Sequence, residues 1–403
     1  MRTFRLTVGT ALLYCVVCCF LCFPAEARAA SQWQGGEAPS PRDAGTQETV
    51  DPKQMSSAAK QFCDKGQYDE ARKLYEQVLA VQEKTLGNNH PNTLITRHDL
   101  AGVFVDLGDY AKARELHEQV LSAQEKRLGA DHPATLTTRH NLAIVFRQLG
   151  DYGKAKKLYG QVLAVREKTL GNDHPSTLIT RGNLADIFKE LGSYDKSREM
   201  YEQVLAAQEK TLGIDHPSTL TTRHNLARVL RDLGDHGKAR ALHEQVLAIQ
   251  EKTLGNNHPN TLTTRGSLAH IFGKLGDYDK AKEIYEQVLA VQEKTLGTDH
   301  PATLTTRGSL AGVFEGLGDY GKAKELHEQV LSAREKILGT DHPATLITRR
   351  SLAGVFGRLG DYGKARKLYE QVLAVQEKTL GNDHPATLAT RRNLAAVLGK
   401  LGG

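Results

Sequence analysis

The 403-residue chain holds a single tryptophan and three methionines, and aromatic residues make up only 6% of it. Aromatics this sparse do not interleave with basic residues into the stacking surface that single-stranded nucleic acid requires. Five cysteines are present, and Cys15, Cys18, Cys19 and Cys22 all fall within one apolar stretch near the N-terminus. Beyond it stands only Cys63, which excludes a disulfide framework in the rest of the chain. Its expected role is that of a small apolar packing residue. Neither charge sign dominates: the formal net charge is +6, or +4 without Arg2, Arg5, Arg28 and Glu26 of the N-terminal segment. Spread over so long a chain, that excess is too dilute for a nucleic-acid partner. Charged residues at 25% and apolar residues at 39% are ordinary for a folded helical protein.

What is present is repetition. His-Pro recurs at Pro91, Pro133, Pro175, Pro217, Pro259, Pro301, Pro343 and Pro385, always 42 residues apart. A fixed period of this size marks a solenoid, in which each unit buries its apolar face against its neighbours. The usual inference of two or three domains from length therefore does not apply. The fold class expected is all-α, an α-α superhelix over residues 51–403 with eight helix pairs and a terminal single helix.

Residues 1–29 read as a secretory signal. Arg2 and Arg5 precede an apolar run from Leu6 to Phe23, Pro24 breaks it, and Ala27-Arg28-Ala29 fits the small-x-small cleavage rule. The run is also long enough to span a bilayer, so an uncleaved signal anchor is the alternative. Both place the repeats outside the cytosol, and a membrane is a partner only if the segment is retained. Residues 30–50 are rich in Gly, Pro, Ser and charge and read as a flexible linker.

Within the unit beginning at Asp131, polar residues precede Pro133, which suits a helix's first turn because its missing N–H would be orphaned there. Leu142, Val145, Phe146 and Leu149 then fall on one helical face, and Gly150 ends the helix. Asp151 caps a second helix, as Ser193 does one repeat later, and Ala155, Leu158, Tyr159, Val162 and Leu163 continue the stripe to Gly171. Each unit is thus two antiparallel helices. The first is clipped, from Asp51-Pro52 to Gly66, and the last single helix carries Leu394, Val397, Leu398 and Leu401, leaving the oligomeric state open.

Leu142-Ala143, Phe146, Ala155, Tyr159 and Val162 stand at the spacing of the small and large packing residues of the tetratricopeptide repeat, which the chain resembles. That repeat is usually about 34 residues. The 42-residue form here, with Leu-Gly-x-Asp-His-Pro between units, is similar to the repeats of kinesin light chains. Glu167 replaces the family's proline near the end of the second helix, and residues 31–50 carry none of the heptads that join a light chain to its heavy chain.

The resemblance implies that first helices line a concave groove that binds a protein or peptide. Transferred by position, the groove residues are His98, Asp106, His140, Asn141, Ile144, Arg147, Gln148, Asn183, Asp186, Lys189, Glu190, His224, Asn225, Arg228, Arg231, His270, Lys274, Glu315, Arg350 and Arg358. These positions vary most between units while packing positions barely change, which fits either tuning for a partner or drift after duplication. Arg147, Lys189, Arg228 and Arg231 make the middle units mildly basic and suggest an acidic peptide. The family's carboxylate clamp needs a lysine where Thr137, Ile179 and Thr221 stand. Gly308, Gly312 and Gly316 form a bare stripe, open to close backbone contact or to drift alike.

No enzyme or cofactor signature emerges. Eight of the sixteen histidines belong to His-Pro and lie whole repeats apart, unlike converging zinc ligands. His117-Glu118 and His243-Glu244 begin like a zincin motif, but Leu121 and Leu247 occupy the second histidine position. Glu167-Lys168 and its copies read as solvated helix charge pairs. The expected function is a non-catalytic, exported or membrane-tethered scaffold. A cytosolic cargo adaptor is the alternative, and an enzyme or metal protein a weaker one.

Overall fold

The computed structural model describes residues 51–402; the expected signal and linker lie outside them. Seventeen α-helices are present among the described residues, with first and second members alternating. The first helices are α1 (Pro52–Asp64), α3 (Pro91–Asp106), α5 (Pro133–Gln148), α7 (Pro175–Glu190), α9 (Pro217–Asp232), α11 (Pro259–Lys274), α13 (Pro301–Gly316), α15 (Pro343–Arg358) and α17 (Pro385–Leu401). The second helices are α2 (Tyr68–Thr85), α4 (Tyr110–Leu128), α6 (Tyr152–Leu170), α8 (Tyr194–Thr211), α10 (His236–Thr253), α12 (Tyr278–Leu296), α14 (Tyr320–Leu338) and α16 (Tyr362–Thr379). The fold is an all-α solenoid. Its described residues form two compact units that part between Val229 and Leu230, inside α9.

Local chemistry sets each helix end. The recurring His-Pro is a capping device: His132 Nδ1 accepts the Ala134 backbone N–H at 3.2 Å, and Pro133 fills the next position. The cap is thus the imidazole, not the preceding aspartate. At the second helix, the Asp151 carboxylate accepts the Lys154 N–H at 3.1 Å. Ser193 makes no such side-chain bond, so it does not share Asp151's capping role. Between the two helices Gly150 takes φ +78°, which lets the Asp151 N–H reach back to the Phe146 carbonyl at 2.9 Å.

Hairpin packing follows the sequence stripe except at Leu149, which lies past the helix end and is exposed. Ala143 and Ala155 are fully buried, and their small side chains let α5 and α6 approach closely around Leu142, Phe146, Tyr159 and Leu163. Copies of this cluster recur in both units.

A second repeating device takes the place of the expected solvated charge pair. Glu167 does not stay in water beside Lys168; it accepts a 2.7 Å bond from the buried Arg181 of the following first helix. Arg181 also donates to the Asn172 carbonyl, so one guanidinium ties second helix, loop and next first helix together. The same Arg–Glu pair forms in all eight copies, from Arg97–Glu83 to Arg391–Glu377. The sequence separation of 14 residues hid it, because it fits no single-helix spacing.

Candidate functional site

Within each unit, neighbouring first helices meet side by side and form a wall. In the second unit α11 approaches α13 and α15 approaches α17 directly. In the first unit the residues at the varied positions bond from one first helix to the next. Asn141 donates to His98 Nε2 at 3.2 Å, leaving His98 Nδ1–H for the Thr138 hydroxyl at 3.4 Å. Asn183 donates to His140 Nε2 at 3.1 Å, and Arg147 pairs with Asp186 at 3.4 Å.

Several expected contact residues are therefore parts of the wall. His140 is only 6% exposed and sits edge-on to the Tyr159 ring at 5.1 Å, which removes it from a partner's reach. His98 meets His117 edge-on at 5.0 Å. Burial pushes the His98 imidazole down to about 4 and the His140 imidazole, with Arg166 adding positive charge, to about 3. Both rings are neutral at neutral pH, as their acceptor roles require. Asp186 also accepts the buried Tyr201 hydroxyl at 2.5 Å, and burial first, then the Asp186 charge, drives that phenol's pKa well up.

The basic residues of these first helices carry less free charge than their number suggests. Arg147 is bound by Asp186, Lys189 pairs with Glu190 at 3.1 Å, and Arg231 pairs with Asp232 at 2.7 Å. Of the four residues behind the acidic-peptide expectation, three thus spend charge on the protein itself. Asn141, Ile144, Gln148, Asn183, His224, Asn225 and Arg228 line the wall half-buried, and Glu190 is exposed. Asp106 is half-buried, and burial raises its carboxyl to about 6.

In the second unit His270, Lys274 and Arg358 are exposed and Arg350 is half-buried. Burial, then the charges of Arg231 and Lys274, lower His270. Glu315 is held by the buried His327 at 3.0 Å. The glycine stripe is not uniform: Gly308 and Gly312 have open space where a Cβ would project, whereas a Cβ on Gly316 would overlap the Tyr278 ring.

Reasoning from sequence missed Asp99 and Tyr201. Asp99 faces solvent on α3, yet the surrounding protein raises its carboxyl to about 6, against the opposing pull of Lys60. Tyr201 belongs to a register of Tyr75, His117, Tyr159, Tyr201, His243, Tyr285, His327 and Tyr369, where Tyr and His interchange. That exchange was a visible sign of a buried polar position. His117 and His243 are each 1% exposed, which closes their zincin-like reading. Among the described residues no three His, Cys, Asp or Glu side chains converge as metal ligands, and no helix is long and apolar enough to cross a membrane.

Comparison with known proteins agrees with this architecture. No curated protein matches the sequence. The repeats of a putative kinesin light chain from Podospora anserina are 39% identical, over 50% of this chain and 96% of that one, with a TM-score of 0.47. A tetratricopeptide repeat protein from Parabacteroides merdae is 15% identical, over 76% and 98% of the two chains, with a TM-score of 0.55. A Rap protein complexed with competence and sporulation factor is 13% identical, over 88% and 99%, with a TM-score of 0.54. The family model of the tetratricopeptide repeat matches eight overlapping stretches, from 55–126 through 350–403. A chain matched over nearly all its described length, and built of the hairpins that the model specifies, belongs to the tetratricopeptide repeat family.

Proposed function

We propose that this protein is a non-catalytic scaffold that holds an extended polypeptide along the wall of its first helices. One observation carries the reading. Packing residues, caps and the Arg–Glu ladder repeat from unit to unit, whereas the wall positions differ, from Val105 and Arg147 to Gly273 and Glu315 at a single register. A surface whose frame is fixed and whose face changes from helix to helix suits an irregular polymer better than a small molecule. The fold supports this, since a tetratricopeptide solenoid is consistent with protein–protein interaction.

Display of random twelve-residue peptides against the full chain tests the reading, followed by hydrogen exchange of the protein with a selected peptide bound. The expected result is protection on first helices and none on the exposed faces of second helices. Failure to enrich any peptide, or protection confined to second helices, would overturn it.

We further propose that the scaffold works outside the cytosol, from the basic start, apolar run and Ala27-Arg28-Ala29 of the N-terminal segment. Mass spectrometry of the N-terminus from the native host tests this. A start at Ala30, or an intact membrane-bound Met1, supports export or tethering. An intact Met1 in the cytosol points instead to a cargo adaptor.

A further inference from the structure

We infer that the second unit receives the acidic portion of the bound polypeptide, on the first-helix wall from α11 to α15; this rests on the scaffold reading above. The charge balance of the two units differs once the Arg–Glu ladder, which is internally neutral, is set aside. First helices of the first unit carry five Lys and Arg (Lys53, Lys60, Arg147, Lys189, Arg228) against five carboxylates (Asp64, Asp99, Asp106, Asp186, Glu190). Those of the second unit carry six (Arg231, Lys274, Arg350, Arg358, Arg392, Lys400) against two. Both of those carboxylates are occupied: Asp232 by Arg231 and Glu315 by His327. Lys274, Arg350 and Arg358 therefore stand on the wall with no carboxylate bound among the described residues.

Lys274 sits on α11 and Arg358 on α15; level with them α13 carries Gly316 against the Tyr278 ring, and toward its N-terminus it presents Gly312, with nothing above it, then Ser309 and Thr305. Two helix spacings separate α11 from α15, roughly 20 Å at ordinary packing distances. An extended chain covers that in about six residues. The matching ligand is thus an extended peptide with two acidic positions about six residues apart. A guanidinium binds carboxylate bidentately, which gives Arg358 and Arg350 directional preference. A nucleic acid is disfavoured because no Phe or Tyr side chain is exposed among the described residues, so charge would be met with little stacking.

The probe is a labelled twelve-residue Gly-Ser peptide with two Glu-Glu pairs six residues apart, compared with its Gln-Gln counterpart by fluorescence anisotropy on the full chain. The acidic peptide should bind at least tenfold tighter, and lose about tenfold in the double variant Lys274→Gln, Arg358→Gln. Both side chains are exposed, so circular dichroism should be unchanged. Equal binding of the two peptides, indifference to the double variant, or stronger competition by an oligonucleotide of the same length would each overturn the inference. If random-peptide display enriches neutral or basic sequences, this inference fails and the scaffold reading stands. If display enriches nothing, both fail.

Discussion

Acidification should weaken the first unit through its buried imidazoles, and the size of the effect can be worked from the structure. His98 and His140 hold folded pKa values of about 4 and about 3, against 6.5 in the unfolded chain. A base whose folded pKa is depressed contributes stability that is fully present above the unfolded value and is lost as pH falls below it. The window thus opens at about 6.5 and closes near the folded values. At pH 5 each ring favours the unfolded chain by about 2 kcal/mol relative to pH 7.5, from about 1.4 kcal/mol per pKa unit. His117, also driven down by burial and by the neighbouring His98, acts in the same direction. Asp106 opposes them. Its folded pKa is raised from 3.8 to about 6, so the folded state gains as pH falls through that range, by about 1 kcal/mol at pH 5. Asp99 acts likewise, but its exposure screens most of its effect. The histidines outweigh the carboxyls. Urea unfolding of the wild type and of His140→Gln at pH 7.5 and 5.0 isolates one ring. The substitution should destabilise at pH 7.5, where the Asn183 bond and the Tyr159 contact are lost, and the gap should close by about 2 kcal/mol at pH 5. Parallel losses in the two proteins would refute the assignment of a buried neutral imidazole.

The Arg–Glu ladder is tested at its middle. Arg181→Met should cost about 2 kcal/mol, because a charge-assisted bond and a carbonyl partner go together, and a double-mutant cycle with Glu167→Gln should show coupling near 1 kcal/mol. Exposed pairs such as Lys73–Glu70 should show almost none by the same cycle. Tyr201→Phe removes the donor to Asp186 and should destabilise by about 1–2 kcal/mol in urea melts, with partial recovery in the Asp186→Asn background. Two glycines should respond in opposite directions to alanine in thermal melts. Gly150→Ala loses about 1 kcal/mol at its positive φ, while Gly312→Ala gains up to about 1 kcal/mol because its Cβ meets open space.

Much of this molecule could be read from spacing alone. The 42-residue period gave the solenoid, and the Leu142, Val145 and Phe146 stripe gave a first helix that runs from Pro133 to Gln148, although Leu149 lies past its end and is exposed. Gly150 and Asp151 gave the turn because glycine at positive φ and an aspartate cap act within a few residues of themselves. The candidate site was legible only in outline. The variable register was visible, but its residues answer to neighbours about 40 positions away, as Arg147 does to Asp186 and His140 to Asn183.

Sequence by itself thus determined what is local or periodic: the helices, the Asp151-type caps, most of the packing stripe and the family. Tertiary structure decided what depends on pairing across hairpins. It turned Glu167 from a surface charge into the acceptor for Arg181, buried His140, and used up the positive charge of Arg147 and Lys189. It also left Lys274 and Arg358 exposed with no carboxylate partner among the described residues. The physical reason is one of range. Backbone propensity and capping act over a single turn, whereas the net charge of a wall depends on which side chains meet when helices stack.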